Sequence, residues 1–509
     1  MIVYFASVSI IFFLIRIALI NSSLTLDETE ILHTKEAPWS LTYHNQAPLY
    51  VWLVKSISYF TEINLISLSF IKYSLYFAFW FTNYLISRNF WSKANSFYIS
   101  LFTVFIVQYS YESNFDLTHS ILLSFLSSLF ILQLIRTIKS PSWLNYLALA
   151  IIAALAFLSK YNFILLLLAS VFALAFNLSL RKRLLNIKLI VSALLFLSLI
   201  SIHLLAYANH LEQGLFYFTD NAVSLSIFNN YIQVAKILVI KYFVVFIPVL
   251  VVFGLFFRGR ILASRIYFID YLQNIFGFSE SKPSRKNNII QYLSSICLIS
   301  FILPIIYVFY SHIDKFQGRW GMFFYFFFVQ IMFLGLYRSY AINLKQEIPF
   351  HNKKTLIVIV SLFFTIVASL KLCFFYKPDL FKVYKRETIP FYHLVKQLDK
   401  SLSITAHRHT ATNINYHLEQ LGVSDHKEAI RFKEFFDGEY KLAKDQTNYN
   451  SGKSIQLIWN MKRYGKQIPQ ELLDLSHKYN CLQKNIEIIK IPYLNSRKNF
   501  KFALIVCQS

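Results

Sequence analysis

Apolar and polar positions alternate along this chain on the scale of whole segments. From residue 2 to about residue 374, runs of Leu, Ile, Phe and Ser are separated by short polar connections. A helix needs roughly 20 apolar residues to cross a hydrocarbon core of about 30 Å. Such runs fall near residues 2 to 20, 66 to 87, 95 to 110, 117 to 135, 144 to 158, 162 to 180, 187 to 208, 232 to 257, 289 to 310, 321 to 341 and 354 to 374. They predict about eleven membrane helices. The third and fifth are short, which points to tilt or a shared hairpin. The first lacks a basic leader and a small-residue cleavage site, so it reads as a permanent helix and not as a removed signal.

Beyond about residue 375 the long apolar runs stop. Short strand-like stretches at Ser403 to Ala406, Ile455 to Trp459, Ile486 to Ile491 and Phe502 to Cys507 alternate with polar, helix-like ones such as Thr412 to Leu421. The expected fold is therefore an α-helical integral membrane protein with a small soluble α/β domain at its C-terminal end. The domains divide at 1–374 and 375–509. Residues 21–65 form an outer loop carrying interfacial helices, with Pro48 to Leu53 as one of them.

Charge orients this arrangement. Arg88 and Lys93, Arg136 and Lys139, Arg181 to Arg183 with Lys188, then Arg258, Arg260, Arg265, Lys282, Arg285 and Lys286, and finally Arg338, Lys345, Lys353 and Lys354 all fall in alternate connections. The positive-inside rule assigns those connections to the cytoplasm and everything after the last run to the outer side. Of the 13 acidic residues before residue 374, only Asp270, Glu280 and Glu347 fall in inner loops. The outer face is thus where carboxylate chemistry is expected. The C-terminal domain carries 22 Lys and Arg against 13 Asp and Glu, a net +9 within a chain of +24. That balance favours membrane lipids or an anionic headgroup as a neighbour, and the outer location argues against nucleic acid.

Candidate chemistry gathers in those outer segments. Asp27 and Glu28 follow the first run, where paired carboxylates can deprotonate an acceptor or hold a divalent cation. A charged pair beside a span is ordinarily only solvated, so its company matters. Asp116, with Glu112 just before it, opens the fourth run. Lys160 lies in the turn Ser159-Lys160-Tyr161-Asn162, where a phosphate would satisfy a buried ammonium. His312, Asp314, Lys315 and Arg319-Trp320 precede the tenth run; the Arg fork suits phosphate oxygens and Trp320 suits the headgroup level. Arg16, near the outer end of the first run, reads as a snorkelling side chain. His407-Arg408-His409 lacks further ligands at defined spacing, so it reads as a solvated surface. No Gly-rich phosphate loop and no G-x-S-x-G elbow occurs.

In order, Asp27-Glu28-x-Glu30, Tyr43-His44-x-x-x-Pro48-Leu49, Asp116, Leu158-Ser159-Lys160-Tyr161 and Gly318-Arg319-Trp320 resemble the dolichyl-phosphate-mannose protein mannosyltransferase superfamily. The resemblance is closer to its bacterial branch, which includes lipid A aminoarabinose and core-sugar transferases. It spans most of residues 20 to 330. Asn45-Gln46-Ala47 departs from the pattern, since many relatives carry a charged residue there, and this leaves the phosphate contact to Lys160 or Arg319. The resemblance implies an inverting GT-C glycosyltransferase that uses a polyprenyl-phosphate sugar donor and a lipid or glycan acceptor such as lipid A or lipopolysaccharide. The cell inner membrane is the implied location, with the C-terminal domain periplasmic. It implies Asp27 as general base, Glu28 and Asp116 as orienting carboxylates or holders of a divalent cation, and Lys160 and Arg319 on the donor phosphate. Tyr43, His44, Tyr161 and Trp320 would contact substrate. No other cofactor is implied.

Two other classes share many spans. A lipid-linked glycan flippase or transporter would show internal repeats and midplane charges, which the sequence lacks. An outer-face polysaccharide polymerase or ligase would use a pyrophosphate-linked glycan. Cys297 and Cys373 fall in apolar runs and are expected as reduced thiols. Cys481 and Cys507 flank the last strand-like stretches and are candidates for a bridge on an oxidising face.

Overall fold

The computed structural model describes residues 2–19, 24–33, 47–115, 117–208, 244–263, 285–311, 321–344, 353–376, 389–398, 403–406, 408–420, 430–431, 434–436, 439–441, 455–461, 486–492 and 499–507. Packing divides the chain into two compact units. The first comprises Met1–Phe13, Trp39–Leu53 and Phe70–Val367; the second comprises Leu14–Pro38, Val54–Ser69 and Ala368–Ser509. The second unit therefore draws in two segments that the sequence division had placed with the membrane domain.

The helices follow the apolar runs. They are α1 (Ile2–Ala18), α2 (Leu26–His33), α3 (Leu49–Ser58), α4 (Leu65–Arg88), α5 (Lys93–Phe102), α6 (Ser113–Phe115), α7 (Thr118–Lys139), α8 (Trp143–Ser159), α9 (Phe163–Ala175), α10 (Leu178–Leu184) and α11 (Ile187–Ala208). After them come α12 (Val244–Ala263), α13 (Arg285–Ser311), α14 (Tyr325–Leu344) and α15 (Lys353–Tyr376). Among the described residues, five helices are long and apolar enough to cross a membrane: those over Leu65–Arg88, Thr118–Lys139, Ile187–Ala206, Lys286–Ile306 and Lys354–Tyr376. The sixth run is not straight, since α9 and α10 meet at 113°; as one bent span they would make six. Shorter apolar helices of 10 to 17 residues lie over Ile2–Ala18, Leu49–Ser58, Trp143–Ser159, Val244–Phe257 and Tyr325–Leu334 among the described residues, which do not by themselves test the expected count of eleven.

The third run is also broken, for a reason the hydropathy pattern does not show. After α5 the backbone tightens into a 3-10 turn over Thr103–Phe105, extends at Ile106, and widens into a π-helix over Gln108–Glu112 before α6. In an apolar surrounding, each carbonyl freed by such a break needs a donor. Side chains supply them. The Tyr76 hydroxyl and the Ser113 hydroxyl both donate to the Tyr109 carbonyl, the latter at 2.7 Å, and the Asn114 amide donates to the Ser110 carbonyl. The Tyr109 hydroxyl donates to the Met322 carbonyl and accepts the Phe326 N–H at 3.2 Å.

Within the first unit α7 packs along α8, α8 along α11, and α9 along α13. Nearly all of α7 is buried. By contrast α11 leaves Ile190, Leu194, Leu197, Ile202 and Leu205 exposed, an apolar surface suited to lipid. Cys297 on α13 and Cys373 on α15 are free thiols, as their positions in apolar runs predicted.

In the second unit, a five-stranded sheet has the order β2 (Ile430–Arg431), β1 (Ser403–Ala406), β5 (Ile455–Asn460), β7 (Asn499–Cys507), β6 (Glu487–Pro492). Strand β1 is parallel to β2 and β5, and β7 is antiparallel to β5 and β6. A two-stranded hairpin, β3 (Glu434–Phe436) with β4 (Glu439–Lys441), stands apart from the sheet. Helices α16 (Phe391–Gln397) and α17 (Arg408–Gln420) pack Phe391, Leu394, Ile414 and Leu418 with Ile458, Phe500, Phe502 and Leu504 in one core. The predicted strands and the predicted helix all recur within a few residues.

Cys481 lies outside the described residues, while Cys507 ends β7 opposite Ile455. Cys481 and Cys507 enclose a loop of about 27 residues, which makes a bridge worth roughly 3 to 4 kcal/mol in the loop-entropy account. Alkylation of intact cells before and after reduction is expected to reveal two new thiols only after reduction. Free labelling without reductant would exclude the bridge.

Candidate functional site

Each unit holds one cluster of candidate residues. In the second unit, the cluster begins with the capping of α2. Thr25-Leu26-Asp27-Glu28 spells the T-x-x-E capping box, in which two backbone donors at a helix start are satisfied reciprocally. Thr25 Oγ1 accepts the Glu28 N–H at 3.3 Å, and Glu28 Oε2 accepts the Thr25 N–H at 2.8 Å. Glu28 is also gripped from α1. Arg16 Nε donates to Oε1 at 3.0 Å and Arg16 Nη2 donates to Oε2 at 2.7 Å, a bidentate fork. A further Arg16 donor reaches the Leu19 carbonyl at 3.3 Å. Arg16 is only 3% exposed and Glu28 4%. The snorkelling reading of Arg16 is thereby corrected: the guanidinium turns inward, because a buried carboxylate offers it a better partner than the interface does.

Asp27 occupies the first turn of α2 and is buried at 5% exposure. Free N–H groups at a helix start favour negative charge, so the backbone supports a carboxylate there. Glu28 commits both oxygens to Arg16 and Thr25. Among the described residues, no three His, Cys, Asp or Glu side chains come together as a metal would require. The segment before α2 is tied to the C-terminal sheet domain, where Asn413 Oδ1 on α17 accepts the Leu24 N–H at 2.8 Å.

The first unit's cluster is built on the start of α7. Leu117, its N-cap, has φ 72, a left-handed conformation that a branched residue adopts only at a cost of roughly 1 kcal/mol or more. The strain follows directly on Asp116. In the first turn of α7 the His119 ring lies 4.8 Å from the Tyr50 ring, centroid to centroid. Ser120 Oγ accepts from Lys160 Nζ at 2.9 Å. The neighbouring Tyr161 stacks on His203 of α11, with centroids 5.7 Å apart and the hydroxyl 3.1 Å from Nε2. His203 is 2% exposed, a buried imidazole on a helix that leaves much of its apolar surface exposed. Three sequence segments far apart, at Pro48 to Tyr50, at Leu117 to Ser120 and at Lys160 to Tyr161, thus meet around one helical turn.

The sequence and the fold have counterparts among known proteins. Residues 45–205 match the family model described as dolichyl-phosphate-mannose-protein mannosyltransferase. Over 197 residues the chain is 31% identical to the lipopolysaccharide core galacturonosyltransferase RgtB of Rhizobium johnstonii, covering 38% of this chain and 39% of that protein. A second such transferase from the same organism, RgtA, is 30% identical over 145 residues, which are 28% of this chain and 29% of that protein. The matched stretches thus span well under half of either relative's length. The crystal structure of ArnT from Cupriavidus metallidurans bound to undecaprenyl phosphate aligns over 99% of this chain and 97% of that one, with a TM-score of 0.53 at 10% identity. Over these stretches the chain is similar to members of this mannosyltransferase superfamily. Its fold is GT-C, and it is an integral membrane protein.

Within this GT-C fold the structure places Asp27, Glu28, Lys160 and Tyr161. The other expected site residues, Tyr43, His44, Asp116, Arg319 and Trp320, lie outside the described residues. Four supporting residues escaped the sequence reading: Arg16 as a partner of Glu28, Asn413, His119 and His203. His203 had a legible signal, since an imidazole within an apolar run is costly unless it has a partner. The same signal marks Lys72 on α4 and Lys371 on α15, both buried. Lys55 on α3 is buried too, and burial holds its ammonium below the ordinary lysine pKa.

Proposed function

We propose that the chain is an inverting glycosyltransferase that moves a sugar from a polyprenyl-phosphate donor to a lipopolysaccharide or lipid A acceptor. The reaction takes place at the outer face of the bacterial inner membrane, and the C-terminal domain is periplasmic. The observation that carries this reading is the meeting of the Tyr50, Ser120 and Lys160 segments at the start of α7, because those segments hold most of the family pattern. Undecaprenyl phosphate bound to a protein of the same fold supports the donor class. The names of the two Rhizobium relatives support a lipopolysaccharide core acceptor.

On this reading Asp27 takes the proton from the acceptor hydroxyl as its oxygen attacks the anomeric carbon, and the bond from that carbon to the phosphate oxygen breaks. Polyprenyl phosphate leaves. A single displacement with one base inverts the anomeric configuration. Lys160 and Arg319 stabilise the negative charge that grows on the leaving phosphate. Asp116 orients donor or acceptor, while Tyr43, His44, Tyr161 and Trp320 line the substrate path. Glu28, through Arg16, holds the helix that carries the base.

The reading is tested by comparing lipopolysaccharide mass spectra with and without the gene. Loss of one hexuronate, hexose, hexosamine or aminopentose from the core or lipid A is expected; identical spectra would contradict it. At the residue level, Lys160→Ala and Arg319→Ala are expected to weaken donor use more than acceptor use. An increase in the acceptor requirement alone would remove both from the phosphate.

A further inference from the structure

We propose that Asn413 of the C-terminal domain is a positioning residue for the reaction, holding the start of the Asp27 helix in its working register. The inference rests on Asp27 as the base, and it extends that role to a domain with no expected catalytic part. Three observations carry it. First, the Leu24 N–H is buried and its acceptor is Asn413 Oδ1 at 2.8 Å, across 389 residues of sequence. Leu24 is fully buried, so this backbone donor has no water to turn to.

Second, α17 presents two faces. Ile414 and Leu418 belong to the sheet core with Ile458, Phe391 and Leu394. Thr410, Asn413 and His417 are spaced by three and four residues, so they form one adjoining stripe, and all three are buried. A polar stripe buried beside a well-packed apolar one calls for polar partners, and Leu24 supplies one of them. The His417 ring meets Tyr392 edge-on with centroids 5.9 Å apart, which fastens the far end of the stripe to α16. Helix α17 is thereby fixed to the sheet on one side while holding the chain before α2 on the other, and α2 and α17 pack together.

Third, Asp27 lies three residues beyond Leu24. The residues that flank Asp27 on either side are tied down: Thr25 and Glu28 cap the helix, and Arg16 clamps Glu28. Asn413 sets where this rigid piece begins. Misplacing a reacting group by about 1 Å can cost on the order of 10²-fold in rate. A displaced helix start would lower turnover without changing the donor contacts.

The test compares Asn413→Leu, which keeps the size but removes the acceptor, with Asn413→Asp, which keeps an oxygen at the same reach. Both are made in the full-length protein in detergent, with monodisperse elution on size exclusion used to count folded molecules and undecaprenyl phosphate binding measured separately. Asn413→Leu is expected to lose on the order of 10²-fold in kcat with donor KM unchanged within about twofold, and Asn413→Asp is expected to recover most of the loss. If Asn413→Leu does not fold, Leu24→Pro removes the donor N–H from the other side and is expected to give the same split between kcat and KM. Wild-type kcat in the folded variant, or parallel losses in kcat and lipid binding, would overturn the positioning role. Asp27→Asn separates the two claims. If it retains activity, the base assignment fails; if it is inactive while Asn413→Leu turns over normally, only the present inference fails.

Discussion

Asp27→Asn is expected to abolish sugar transfer while leaving the protein folded and able to bind undecaprenyl phosphate. The substitution keeps the shape of the side chain and removes its capacity to accept a proton. General-base catalysis typically contributes about 10² to 10⁴ in rate, so activity within about tenfold of wild type would remove Asp27 from that role. The buried position in the first turn of α2 is the reason for expecting a clean result. The cap formed by Thr25 and Glu28 is untouched by the substitution, so a loss of activity would report chemistry and not a collapsed helix.

Arg16→Ala is expected to have the largest effect on stability. It strips the guanidinium from a carboxylate that is 4% exposed and held by a bidentate pair. Removing one partner of a buried ion pair typically costs about 3 to 5 kcal/mol, because the remaining charge is left without compensation. Thermal unfolding in detergent should therefore shift well downward. The double variant Arg16→Met with Glu28→Leu removes both charges and should recover part of the loss. An unchanged melting temperature for Arg16→Ala would mean that Glu28 finds another partner.

Much of this was legible in the sequence, and the parts that were not share one cause. Apolar runs gave away the helices because a membrane span must satisfy its backbone internally, and only a helix of fixed length does so here. The strands of the C-terminal sheet were legible from their short apolar stretches, down to Ser403–Ala406. The breaks were not. Nothing in the hydropathy of residues 95 to 110 announces a π-turn, because its cost is met by Tyr76 and by Tyr109 acting on Met322, contacts formed across long stretches of chain.

The site divides along the same line. Asp27, Glu28, Lys160 and Tyr161 stood out as polar groups at the ends of apolar runs. Thr25 could have been read as a cap from the T-x-x-E spacing alone. Arg16 was visible, but its partner was not, since snorkelling and inward pairing leave the same sequence trace. Asn413 had no local signature at all, because its partner is a backbone N–H in a distant segment.

The central claim is that the chain transfers a sugar from a monophosphate-linked polyprenyl donor. The most direct measurement uses the purified full-length protein in proteoliposomes with a polyprenyl-monophosphate sugar and lipopolysaccharide core or lipid A as acceptor. Product is followed by mass spectrometry and the anomeric configuration by nuclear magnetic resonance. The account predicts acceptor carrying one added sugar of inverted configuration, release of polyprenyl phosphate, and no product from Asp27→Asn. Product only from a pyrophosphate-linked glycan, or movement of the lipid-linked sugar across the bilayer without transfer, would contradict it.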